Sequence, residues 1–148
     1  MYHINLSYLE HRVRQLLSLP THSLSETAAD QCSEVARVCA HWILEVTPTV
    51  QVFIMKGVGI FGDGERAHEL VMVKYESLIT LIDPTIWQFF PDAQSMLLVD
   101  EADDYRANAL LMDMYGGIWG KVEEVFYDGK ERLFLEKTIR KNMKEYFS

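Results

Sequence analysis

The sequence predicts an α+β fold, and three observations carry that expectation. Apolar residues recur at helical spacing in the first part of the chain, at Leu6, Leu9, Val13, Leu16 and Leu17 and again from Cys32 to Val46. Short runs rich in Val, Ile, Leu and Tyr then follow one another closely, without a helix between each pair. Helices first and adjacent strands afterwards is the pattern of an α+β domain rather than of alternating βαβ units.

The elements follow in order. Pro20 stops the first helix, and "THSLSETAAD" (21–30) reads as a polar loop. The next helix runs from about Asp30 to Val46, with Cys32, Val35, Ala36, Cys39, Ile43 and Val46 along one face. "VQVFIMK" (50–56) reads as a buried strand, and "GVGIFGDGE", four glycines in nine residues, as a flexible connection or hairpin. Two strands, about 67–75 and 78–83, joined tightly through "YESL", are expected to be antiparallel neighbours. "SMLLV" (95–99) is a further short strand, and "DEADDYRANALLMDMYGG" a helix closed by Gly116 and Gly117 with an acidic first turn. "VEEVFYDGKERLFLEK" is open between a hairpin at Asp128-Gly129 and a strand followed by a last helix. Leu135, Ile139, Met143 and Phe147, spaced by four, favour a closing helix.

Composition narrows the function classes. The chain has 148 residues, the size of one domain, and no repeat or linker suggests a boundary within 1–148. With 14 basic and 22 acidic residues the formal charge is −8, which argues against a nucleic-acid surface. No apolar run of about 18 residues is present, so no membrane partner is expected. The first residues show no signal-peptide pattern. Cys32 and Cys39 lie seven apart on one expected helix, about 10 Å along its axis, too far for a disulfide. Free thiols suit a reducing, cytoplasmic compartment.

"RAHELVMVKYESLITLIDPT" (66–85) carries the chemistry. A histidine opens the first strand and Asp-Pro-Thr ends the second, so a tight turn brings His68 and Asp83 together as cross-strand neighbours. The carboxylate then fixes the ring tautomer, and the other ring nitrogen is free to take a proton from a nucleophile. Cys32 is the candidate. It follows Asp30, a good N-cap residue, and falls in the first helical turn, where free N–H groups and the helix dipole stabilise a thiolate. Its own backbone N–H is placed to stabilise an oxyanion. Cys32 also continues the helix's apolar stripe, so a plain core cysteine is the competing reading; Cys39, two turns further in, reads as structural. No second oxyanion donor is apparent, since neither Gln15 nor Gln31, the upstream glutamines, is argued into that role.

These residues resemble the transglutaminase-like branch of the papain-like superfamily. A cysteine at a helix start, a glycine-bearing strand, and a histidine followed fifteen residues on by Asp83-Pro84-Thr85 are shared over about residues 28–90; the Trp and Glu that typically follow the family's histidine are not. The resemblance implies a cysteine-bearing helix packed on an antiparallel sheet with flanking helices. It makes Cys32 the nucleophile, His68 the general base and acid, and Asp83 the orienter, with no cofactor and no metal. Aspartate as third member resembles transglutaminases, arylamine N-acetyltransferases and bacterial glutamine deamidases more than papain. A small pocket accepting one side chain suits a chain of this size, so the expected partner is a protein with an exposed glutamine or other amide, and the expected activity glutamine deamidation or a transglutaminase-like transfer. Small bacterial effectors of this kind are delivered into host cells, an alternative to a cytoplasmic location. A cysteine peptidase and a catalytically inactive protein-interaction module of the same fold are the other readings, and oligomeric state is open.

The remaining candidates are set aside. Trp87, Phe89 and Phe90 are expected to pack against the cysteine helix rather than line a substrate groove. His3, His11, His22 and His41 show no metal-ligand spacing, and "GVGIFGDG" lacks the Lys-Ser/Thr of a phosphate loop.

Overall fold

Asn5 accepts a hydrogen bond from the Tyr8 amide and starts α1 (Leu6–Leu16) in the computed structural model, which describes residues 4–147. Helices α2 (Leu24–Ala28) and α3 (Cys32–Val46) follow, then strands β1 (Gln51–Val58), β2 (Ala67–Tyr75), β3 (Leu78–Ile82) and β4 (Leu97–Ala102). The chain ends with α4 (Asp104–Tyr115), β5 (Ile118–Val125) and α5 (Gly129–Phe147). The strands form one antiparallel sheet in the order β4-β3-β2-β1-β5. The architecture is α+β, as the sequence predicts. Among the described residues no helix is long and apolar enough to cross a membrane.

Alternation along the central strands separates two layers of side chains. Val52, Ile54, Val71, Val73 and Ile82 pack against α1, α3 and α5, burying Val13, Leu17, Val35, Cys39 and Ile139 completely. Met55, Leu70, Met72 and Leu81 pack on the other side against Ala107, Leu111 and Tyr115 of α4. Each fully buried aliphatic side chain contributes roughly 1.5–3 kcal/mol relative to exposure. Both faces of the middle strands are therefore covered, which is why they read as continuous apolar runs rather than as alternating ones.

Several boundaries differ from expectation. The "polar loop" holds α2, capped by Ser23, whose side chain and that of Glu26 satisfy each other's backbone in a capping box. Strand β1 continues through Gly57 and Val58 before a 3₁₀ turn at Ile60–Gly62 closes the hairpin to β2. The acidic run "DEADD" is divided between two elements, Asp104 standing in the acidic first turn of α4 as expected, while Asp100, Glu101 and Ala102 finish β4, with Ala102 buried opposite Ile79 and Asp100 accepting the Thr80 hydroxyl at 2.6 Å. Asp103 then caps α4. At Asp128-Gly129 the choice falls on a strand followed by a helix, because the Asp128 carboxylate accepts the Lys130 and Glu131 amides and starts α5.

Candidate active site

Asp83 sits one residue beyond β3 and is fully buried. The turn that follows is fixed by its own carboxylate: Oδ1 accepts the Thr85 amide at 3.1 Å and the Thr85 hydroxyl at 3.4 Å. The Asp83 amide donates to the Met96 carbonyl at 2.8 Å. The Asp-Pro-Thr ending is thus a structural device that aims Oδ2 back across the sheet. Oδ2 accepts from two directions, His68 Nε2 at 2.8 Å and the Tyr115 hydroxyl at 2.5 Å.

His68 is also fully buried. The pairing of Val71 with Ile82 sets the register, so Asp83 lies diagonally from His68 rather than directly opposite it. Because a carboxylate only accepts, Nε2 carries the proton, and Nδ1 is left with its lone pair in the neutral ring. No hydrogen bond of regular geometry closes on Nδ1, but the Cys32 side chain lies close enough to interact with the ring. Burial is the largest influence on His68 and opposes protonation. The charge and hydrogen bond of Asp83, helped by Cys32, outweigh it and raise the pKa to about 9.

Cys32 is the first residue of α3 and is half-buried. The expected Asp30 N-cap is corrected: Asp30 takes a left-handed backbone, φ 60°, where the chain reverses between α2 and α3, and Gln31 becomes the cap position without a side-chain bond. Cys32 keeps its place in the first turn. The first intrahelical bond runs from the Val35 amide to the Gln31 carbonyl, so the amides of Cys32, Ser33 and Glu34 precede the helical ladder. Gln31 directs its amide nitrogen to the Thr27 carbonyl at 3.0 Å, away from an oxyanion role, and Gln15 is exposed on α1.

An ion-pair network holds this turn against the sheet. Arg37 Nη1 donates to the Ser33 carbonyl and hydroxyl at 3.0 and 2.7 Å and to Glu69 at 2.7 Å, while Nε donates to Glu123 at 3.0 Å. Ser33 follows the cysteine and Glu69 follows the histidine, so one guanidinium ties both neighbours together. Cys39 is sealed in the core, and burial together with the charge of Asp83 pushes its thiol pKa well up.

Further residues around His68 were not singled out as site residues by sequence reasoning. Tyr115, at the end of α4, is almost fully buried; burial and the Asp83 charge raise its pKa, so it remains a neutral donor to Asp83. Trp119 on β5 stands opposite Gly57, which in turn pairs with His68. A Cβ at Gly57 would clash with the Trp119 indole, so the strand needs glycine there to let the ring lie across it. Phe89 meets the His68 ring edge-on at 4.9 Å, with Tyr115 at 5.5 Å and Trp119 at 6.4 Å. Phe89 therefore departs from the expected packing against the cysteine helix, whereas buried Trp87 belongs to the α3 side of the core. Phe61, with φ 53°, leans on Phe89 at 5.1 Å at the exposed edge of the cluster. The signal for Gly57 was its place inside a strand, and that for Phe89 its place just after Asp83; Arg37 and Tyr115 had no local signal.

Among the described residues no three His, Cys, Asp or Glu side chains converge as metal ligands, and His3 lies outside those residues. Compared with models of known protein families the sequence matches none, and no curated protein matches it either.

Proposed function

We propose that the protein is a thiol-dependent acyl-transfer enzyme of the papain-like, transglutaminase-like type, acting on a side-chain amide of a protein, with glutamine deamidation as its reaction. The observation that carries this reading is the chain of contacts from Asp83 Oδ2 to His68 Nε2 and on through the ring to Cys32 at a helix N-terminus. A core cysteine has no use for a buried histidine whose other nitrogen is held by a carboxylate with its own supporting donors.

In the proposed reaction His68 Nδ1 holds the proton taken from Cys32, and the sulfur attacks the carboxamide carbon of a glutamine. The Cys32 amide faces the developing oxyanion. The nitrogen leaves as ammonia with the proton from Nδ1, and a thioester remains. Water attacks that thioester as Nδ1 removes its proton, giving glutamate and the free thiol. One water is consumed and one ammonia released. Asp83 supports the imidazolium at each stage, and Tyr115 and Thr85 hold Asp83.

The test is ammonia release from a blocked glutaminyl-glycine dipeptide and from a casein digest, scored beside Cys32→Ala. Release that depends on Cys32, with peptide bonds intact by mass spectrometry, supports deamidation. Cleaved peptide bonds would make the enzyme a peptidase. No Cys32-dependent acyl transfer on either substrate would remove the catalytic reading and leave an interaction module.

A further inference from the structure

The chain just before Cys32 and the last turns of α5 enclose a groove of about 290 Å³, lined among others by Asp30, Gln31, Asn142, Met143, Glu145 and Tyr146. Its chemistry is one-sided. Gln31 is only 6% exposed, and its Nε2 is committed to the Thr27 carbonyl at 3.0 Å. A carbonyl can only accept, so this bond fixes the amide orientation and leaves Oε1, a buried acceptor, without a hydrogen-bond partner among the described residues. Asp30 and Glu145 add two carboxylates, and among the described residues no lysine or arginine lines the groove. Glu145 has one loose, exposed pair with Lys141 at 3.9 Å. The amide end of α3 and the carbonyl end of α5 meet here with opposite dipole signs, so the side chains set the local charge. Met143, Tyr146 and Phe147 supply apolar and aromatic walls.

We propose that this groove binds a lysine or arginine side chain of the protein substrate, next to the residue presented to Cys32. The aliphatic stem lies along Met143 and the aromatic walls, and the cationic head pairs with the two carboxylates and, on a small outward shift of the Gln31 amide, donates to Oε1. An orphaned acceptor is the deciding feature, because only a donor relieves it, and a cation on a stem is the donor that also matches the carboxylates and the walls. The net charge of −8 draws such a segment toward the protein before contact. This assignment rests on the proposed acyl-transfer reading only in calling the bound segment a substrate; the binding itself does not depend on catalysis.

The experiment therefore measures binding on the full chain carrying Cys32→Ala. Fluorescein-labelled hexapeptides each hold one glutamine and, two residues before or after it, either lysine or its uncharged analogue norleucine. Anisotropy titrations are expected to show the lysine peptide of one pair binding about fivefold tighter or better, the effect of a charge-assisted hydrogen bond, with the gap narrowing as salt rises. Asp30→Asn/Glu145→Gln and, separately, Gln31→Met should each shrink that gap, with circular dichroism verifying the fold. Equal binding of lysine and norleucine peptides at both positions overturns the subsite, even if ammonia release has been demonstrated. A preference that survives both variants overturns its placement in this groove. A groove-dependent preference in a protein that releases no ammonia upholds the cation site and rejects the acyl-transfer reading instead.

Discussion

Cys32 and Cys39 are the same side chain on the same helix, and the fold treats them in opposite ways. Cys32 is the first residue of α3, half-buried, with His68 beside it. Cys39 lies two turns deeper, at 0% exposure among aliphatic side chains, and its thiol is pushed toward the protonated form by burial and by Asp83. Asp83 therefore stands in a different relation to each sulfur. Through the His68 ring it supports a positive charge next to Cys32; across the core it adds a negative charge near Cys39. Burial is the larger influence on Cys39, and the charge of Asp83 adds to it.

The largest break of this comparison comes from removing each sulfur in turn. Under the proposed chemistry Cys32→Ala lowers ammonia release by about a thousandfold or more with an unchanged melting curve. Cys39→Ala is expected to keep activity and to lose about 1–2 kcal/mol of stability in urea titrations, the cost of a small cavity. Next in size is the carboxylate. Asp83→Asn should lower kcat about 10²–10⁴-fold, because an amide can donate to the ring and favour the wrong tautomer. Tyr115→Phe leaves the three other donors to Asp83 in place and is expected to cost about tenfold in kcat.

Alkylation sharpens the contrast without a substrate. With iodoacetamide at pH 6, mass spectrometry should find label on Cys32 and none on Cys39 until the protein is unfolded; His68→Ala should slow Cys32 labelling about tenfold or more. The smallest effect lies in stability against pH. The folded-state pKa of His68 is raised to about 9, above the ordinary 6.5, so its contribution is complete below about pH 6.5 and is lost as pH rises through about 9. The stability advantage of wild type over His68→Gln in urea titrations should therefore shrink between those limits, by at most on the order of 3 kcal/mol.

The parts of this site that the sequence shows are the local ones. A tight turn and the period of two place His68 and Asp83 on one side of adjacent strands, and helix-start chemistry places Cys32. Thr85 stood within the same motif, but its role shows only when the Asp83 carboxylate is seen closing its own turn. Tyr115 comes from a helix 32 residues beyond Asp83, and Arg37 joins α3 to β2 and β5; no spacing rule links such partners, because the packing of layers brings them together. The misread boundaries have local causes. Ser23 and Glu26 spelled a capping box inside a stretch whose polarity suggested a loop. Asp100 and Glu101 suited a helix start by charge, yet the pairing of Ala102 with Ile79 keeps them in the strand.

If the proposed chemistry holds, Gly57 carries a consequence for how versions of this domain would lose it over evolutionary time. Any side chain there meets the Trp119 indole, which lies beside His68. A chain could keep all three of Cys32, His68 and Asp83 and still be silenced by one codon change in the neighbouring strand. Sorting working descendants from retired ones by the triad alone would then miscount them; the smallest residue in β1 belongs in the test.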